Sequence, residues 1–296
     1  MTLGPRPALV IGVVALTWSA LFVRWADAPP LAIAFLRMAL AAAGLLAIAG
    51  VTRTRFWRAW RGTAWWTGAA AALLLAIHLA LWIASLAYTT VAASVVLVCT
   101  QPVFVALLGW IALRERPARA AWVGMGLALA GTMVIAGGDV ALDRRALFGD
   151  MLALLAALVI SGYYVLGRHL RATTDLLPYV VVVFSLAAAW LGLAVAAAGV
   201  PIGGYDATTW AALAGLAIVP TIIGHSAMNF ALRYLRAYEV NVAILGEPVG
   251  ATLWAALLLA ELPGPATVVG GTLILGGILL TMRRRSLPDA IAPAPL

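Results

Sequence analysis

One spacing occurs twice in this chain, and it limits the possible folds more than any other feature. Gln101-Pro102 is followed by Glu115, Pro117, Gly124 and Gly131, and Glu247-Pro248 is followed by Glu261, Pro263, Gly270 and Gly277. Every member of the second set lies 146 positions after its partner in the first, and Tyr88 and Tyr234 obey the same offset. A fixed internal offset carried by several residue types marks a duplicated structural unit. The expected units are 1–140 and 147–285, with the polar stretch 137–147 as the boundary between them.

Each unit is built from long apolar runs. These lie at roughly 7–23, 29–50, 63–86, 91–113, 119–137, 147–167, 177–199, 208–232, 239–260 and 264–282. Each is near the ~20 residues that a helix needs to cross hydrocarbon. Hydrophobic residues make up 65% of the chain and charged residues 10%, too few charges to keep a water-soluble surface wet. The predicted class is an all-α polytopic membrane protein, because inside lipid only helices or closed barrels satisfy their own backbone. A barrel would alternate apolar and polar residues along each span, and these runs do not.

The basic residues set the topology. All 19 are arginine, which excludes a P-loop lysine and any lysine Schiff base. Fifteen of them fall at the amino terminus or in alternate loops, including Arg53, Arg55, Arg58, Arg61, Arg114, Arg116, Arg119, Arg168, Arg171, Arg233, Arg236 and 283–285. The other side holds only Arg24, Arg144 and Arg145. The net charge of +8 therefore reads as positive-inside topology and not as nucleic-acid binding. Both termini are expected in the cytoplasm, with a disordered tail over 286–296. Five spans per unit is an odd number, so the second unit enters the bilayer inverted relative to the first, the plan of many secondary transporters.

Within that frame, a few polar residues lie at mid-membrane depth. Pro102 and Pro248 remove a backbone donor and crowd the carbonyls of Val98 and Ile244. Gln101 and Glu247 precede them and are offset mates, so both spans either line a pathway or carry packing kinks. Glu247 either holds a proton or a cationic ligand group, or serves as a neutral structural acid. His78, Trp82 and Ser85 share one helical face of the third span, and Thr221, His225 and Asn229 share one face of the eighth. Ser161 and Tyr164 share a face of the sixth span, with Tyr163 beside them; Ser19 and Phe22 are the counterparts in the first. Arg37 lies inside the second span and has no basic counterpart near Val183. It either forks onto a carboxylate or snorkels outward toward Asp27 and the head groups.

Trp57, Trp60, Trp65, Trp66 and Trp25 read as interfacial belt, while Trp18, Trp82 and Trp254 lie deep enough to stack on a ligand. The glycines at 124, 126, 131, 270, 271, 276 and 277 read as close helix packing. Cys99 reads as a small core residue. No zinc or nucleophile-elbow motif is present, and no metal or cofactor is expected. An intramembrane enzyme would have to use Ser161 as nucleophile and His225 as base.

Tyr88, Ala92, Ala93, Pro102, Leu113-Arg114-Glu115, Gly124 and Gly131 together resemble the EamA repeat of the drug/metabolite transporter superfamily. Pro248, Ala260-Glu261, Gly270 and Gly277 resemble a second copy. The resemblance implies ten helices in two inverted five-helix repeats around a central cavity, in a bacterial inner membrane. It also implies export of metabolites, amino acids or toxic compounds, and the chain most resembles bacterial aromatic amino-acid exporters. On this resemblance Glu115 and Glu261 cap or brace the span ends. A channel-like facilitator and a multidrug exporter are the alternatives within the same fold. The expected partners are a small-molecule substrate and the bilayer, with the chain a monomer or homodimer.

Overall fold

A computed structural model describes residues 4–60, 62–113, 122–124, 126–127, 130–131, 133–135, 143–235, 237–244 and 246–282. Among these, all regular structure is helical. Seven helical segments are long and apolar enough to cross a membrane: Pro5–Trp25, Pro30–Val51, Thr63–Ser85, Val91–Ile111, Arg144–Arg171, Leu176–Ala198 and Ala207–Ala231. Gly246–Leu259 and Pro265–Gly277 are shorter apolar helices. The described residues between 122 and 135 are helical, but most of the expected fifth span lies outside the described residues. Glu115, Pro117, 137–142 and the tail 286–296 lie outside them too.

The helices are α1 (Pro5–Leu16), α2 (Ser19–Trp25), α3 (Pro30–Val51), α4 (Thr63–Ser85), α5 (Val91–Val98), α6 (Gln101–Leu113), α7 (Arg144–Arg171), α8 (Leu176–Ala198), α9 (Ala207–Leu216), α10 (Ser226–Ala231), α11 (Ala237–Ala243), α12 (Gly246–Leu259) and α13 (Pro265–Met282). A π-helical stretch, Ala217–His225, joins α9 to α10.

Local chemistry sets their ends. Pro5 and Pro30 open α1 and α3, where a missing N–H costs nothing. Thr90 Oγ1 accepts from Ala93 N (3.1 Å), Asp143 from Arg145 N (2.9 Å) and Asp206 from Thr209 N (2.8 Å), capping α5, α7 and α9. Gly199 ends α8 at φ 63°, a left-handed conformation that an L side chain would strain.

Packing follows the sequence duplication. α4 packs on α7, and with the halves exchanged the π stretch and α10 pack on α1. α4 also packs on α8, as the π stretch and α9 pack on α3. α5 and α6 lie on α7, as α11 and α12 lie on α1. The self-paired contact of α3 with α8 lies on the exchange axis, and α5 on α12 exchanges with α11 on α6.

Hydrogen bonds fix which turns share an end. Asp27 N donates to Thr209 Oγ1 (3.2 Å), Arg24 Nη2 to Thr89 O (3.0 Å) and Arg145 Nη2 to Ala87 O (3.3 Å). These bonds gather the turns 26–29, 86–90 and 199–206 at one end. At the other, Trp60 Nε1 donates to Pro178 O (3.2 Å), Arg168 Nη1 to Leu232 O (2.6 Å), and Arg233 pairs with Asp175 (2.5 Å). Turn 26–29 and its offset mate 172–175 therefore sit at opposite ends, and the halves run antiparallel. The described arginines segregate accordingly. Arg53, Arg55, Arg58, Arg168, Arg171 and Arg233 share the second end, and Arg24, Arg144 and Arg145 the first.

The outward faces are apolar. Val14, Ile111, Leu193 and Leu257 are exposed along their helices, as lipid contact requires. Trp57, Trp65 and Trp66 are exposed near one end, but Trp60 is buried. Its ring lies on Gly68, where a Cβ would collide with it, so it packs between helices and does not belong to the belt.

Candidate functional site

The fourth and ninth spans are each broken in two rather than kinked. α5 ends at Val98 and α6 starts at Gln101; α11 ends at Ala243 and α12 starts at Gly246. Pro102 and Pro248 thus fall in the first turn of a new helix, where proline is tolerated. The carbonyl of Ile244 accepts from Glu247 N (2.8 Å) and from Cys99 Sγ (3.8 Å), so the two breaks touch across the exchange axis. Each break turns one polar side chain, Gln101 or Glu247, inward.

Between the breaks lies a cavity of about 30 Å³. Its polar wall is Ser19, Arg37, His78, Gln101, His225 and Glu247. Its apolar and aromatic wall includes Leu16, Leu79, Trp82, Ile160, Tyr164 and Ile244. A space of this size holds about two waters and is far too small for a metabolite. Hydrogen bonds tie helices together at both ends of the protein. At the first end Glu261 accepts from Val91 N at the start of α5 and lies 3.5 Å from Arg24. This is the bracing role expected of Glu261. At the second end Arg168 and Arg171 of α7 hold the carbonyls of Asn229, Leu232 and Arg233.

Arg37 does not snorkel. It is 1% exposed, with Nε donating to Thr221 Oγ1 (2.7 Å) and Nη1 to Ser19 Oγ (3.2 Å). Pro220 lies inside the π stretch and, having no N–H, cannot donate to the helical ladder there. Thr221 Oγ1 donates to the Leu216 carbonyl (2.7 Å), which turns its lone pairs toward Arg37. Thr221 and Ser19 thus hold the guanidinium inward.

Seven of the expected residues meet at the cavity: Arg37, His78, Trp82, Gln101, Tyr164, His225 and Glu247. His78 Nδ1 donates to Ala156 O (3.0 Å), since a carbonyl can only accept, and this fixes the ring. Trp82 Nε1 and His225 Nδ1 are buried without a hydrogen-bond partner among the described residues.

Four expected residues lie outside the lining. Ser85 Oγ donates to Trp82 O (2.7 Å) and lies 2.6 Å from Ser94 Oγ. Ser161 Oγ is held by Ala157 O (2.6 Å) and Gln101 O (3.0 Å), and shares no hydrogen bond with His225. Asn229 Nδ2 donates to Tyr163 Oη (2.6 Å) and His225 O (2.8 Å). Ser161 and Asn229 therefore brace the backbones that carry Gln101 and His225. Trp18 and Trp254 stack on each other, with centroids 4.4 Å apart, and do not line the cavity. Among the described residues, no group of three or more His, Cys, Asp or Glu is placed to hold a metal ion.

Comparison with known proteins decides the family. The model of the EamA-like transporter family matches twice, at residues 7–137 and 147–283. The chain belongs to the EamA-like transporter family. This EamA protein is accordingly a multi-pass membrane protein. It is 27% identical over 198 residues to the uncharacterized transporter YdfC of Bacillus subtilis, covering 65% of this chain and 63% of the relative. It is 29% identical over 193 residues to a probable terminal-alkyne amino-acid exporter of Streptantibioticus cattleyicolor, covering 64% and 63%. An uncharacterized transporter of Archaeoglobus fulgidus is 26% identical over 205 residues, covering 68% and 70%. The chain thus spans less than two thirds of the length of the first two relatives. A crystal structure superposes on this EamA fold with a TM-score of 0.70 at 20% identity, covering 94% of this chain and 98% of that one.

Proposed function

We propose that this EamA protein is a secondary transporter exporting small amphipathic metabolites, above all aromatic or hydrophobic amino acids, across a bacterial inner membrane by alternating access. A single feature carries the reading: a polar cavity lined by residues of both halves, at the meeting of two antiparallel units. Such halves can open one end while closing the other, because each repeats the other's contacts in reverse. The units 1–140 and 147–285 are the moving bodies, and 286–296 is a cytoplasmic tail. The arginine-rich end faces the cytoplasm, with both termini on that side. The amino-acid class is supported by the polar and aromatic wall of the cavity and by the substrate in the name of the Streptantibioticus relative.

The test is counterflow in liposomes carrying the purified protein, preloaded with single amino acids and assayed with and without a pH gradient. Uptake of label should be accelerated by the same amino acid inside, and Trp82→Ala and Gln101→Ala should lower it at equal incorporation. Flux without acceleration from the opposite side would instead mark a channel-like facilitator. Dye or drug flux with no amino-acid flux would mark a multidrug exporter.

A further inference from the structure

Two ionisable side chains line the cavity and do not pair with each other. Arg37 and Glu247 are both buried, at 1% and 9% exposure. Among the described residues the ion pairs within 4.0 Å are Arg24–Glu261 and Arg233–Asp175, so the guanidinium and this carboxylate stand apart. The guanidinium commits Nε and one Nη1 hydrogen to Thr221 and Ser19, leaving Nη2 without a partner among the described residues. The Glu247 carboxylate accepts no hydrogen bond there; only the backbone N–H of this residue is engaged, by Ile244 O. Unpaired charges at this depth are costly. Stability alone would favour bringing the two together or replacing both with apolar groups. The fold instead holds Arg37 in place through Thr221 and holds Glu247 in the first turn of α12.

We propose that the cavity recognises its ligand as a zwitterion, with Arg37 taking a carboxylate and Glu247 an ammonium. This rests on the reading that the cavity carries an amino acid. An α-amino acid presents both charges on neighbouring atoms, so it satisfies both walls at once and brings no net charge into the membrane. The guanidinium offers the fork that a carboxylate fits. Trp82, Leu79, Ile160 and Tyr164 supply the surface for the side chain. A ligand with only one of the two charges leaves the other wall charge buried and unmatched, so the site rejects amines and acids equally.

Competition against labelled phenylalanine counterflow tests this. The competitors are phenylalanine, phenylalaninamide (ammonium only) and N-acetylphenylalanine (carboxylate only). In wild-type vesicles both derivatives should compete at least about tenfold more weakly than phenylalanine, the worth of one charged hydrogen bond. Arg37→Gln should narrow the gap for the amide alone, and Glu247→Gln the gap for the N-acetyl compound alone. If either derivative competes as well as phenylalanine in the wild type, zwitterion recognition is overturned while amino-acid transport stands. It is overturned equally if each variant relaxes both gaps alike. If no amino acid shows counterflow, the proposed function falls and this inference with it. Competition in the wild type decides the matter even if a variant fails to fold.

Discussion

Replacing Arg37 with methionine is expected to cut amino-acid counterflow by roughly tenfold to hundredfold, the effect of losing about 1.5–3 kcal/mol of carboxylate binding. The same change should leave heat stability in detergent unchanged or raise it. The guanidinium is buried among neutral hydroxyls with no ion pair within 4.0 Å to offset its lost hydration. An apolar side chain of similar length removes the cost of burying the charge. Thr221 keeps its bond to Leu216 O without the arginine, so the π stretch need not unwind. Melting temperature and counterflow measured on one preparation separate the two roles. A joint fall of both would make Arg37 a structural residue.

The second large effect is expected on stability alone. Gly131→Val should destabilise the protein by about 3 kcal/mol, the upper part of the overpacking range. A Cβ at 131 would run into the carbonyl oxygen of Gly270 and lie 2.9 Å from Ile274 N. A Cβ at 270 would lie 2.5 Å from the carbonyl oxygen of Gly131. The obstruction is backbone on both sides, so no rotamer change relieves it, and the helical residues around 131 must separate from α13. Gly126 provides the contrast. A Cβ there meets nothing within 4 Å, so Gly126→Val should shift the melting temperature little. Equal effects from the two valines would mean that the 131–270 contact does not hold the halves together.

The internal repeat is legible in the sequence because the same residues recur at the same spacing. Gln101 and Glu247 were legible for the same reason, since each stands beside a proline that must open the helix. Other expected residues lie outside the cavity lining, where one helical face has two possible uses. Ser85, Ser161, Tyr163 and Asn229 are on plausible faces, but their polar atoms are consumed by neighbouring helices and backbone. Periodicity cannot separate an interhelical contact from a cavity wall. The inward turn of Arg37 depends on Thr221 and Ser19 in other spans, a relation with no local signature in the second span. The apolar wall of Leu16, Leu79, Val98, Ile160 and Ile244 carries no sequence signal, because apolar residues are everywhere in such a chain.

Alternating access is tested most directly by spin-label distances at both ends of one protein. With Cys99 replaced by alanine, one label pair goes at positions 87 and 208 and the other at 63 and 234, all exposed. Each pair joins one half to the other. On addition of a transported amino acid, one distance should lengthen as the other shortens, with two populations at each end. Simultaneous widening of both ends, or a single unchanging distance at each, would contradict two antiparallel halves rocking about a shared cavity.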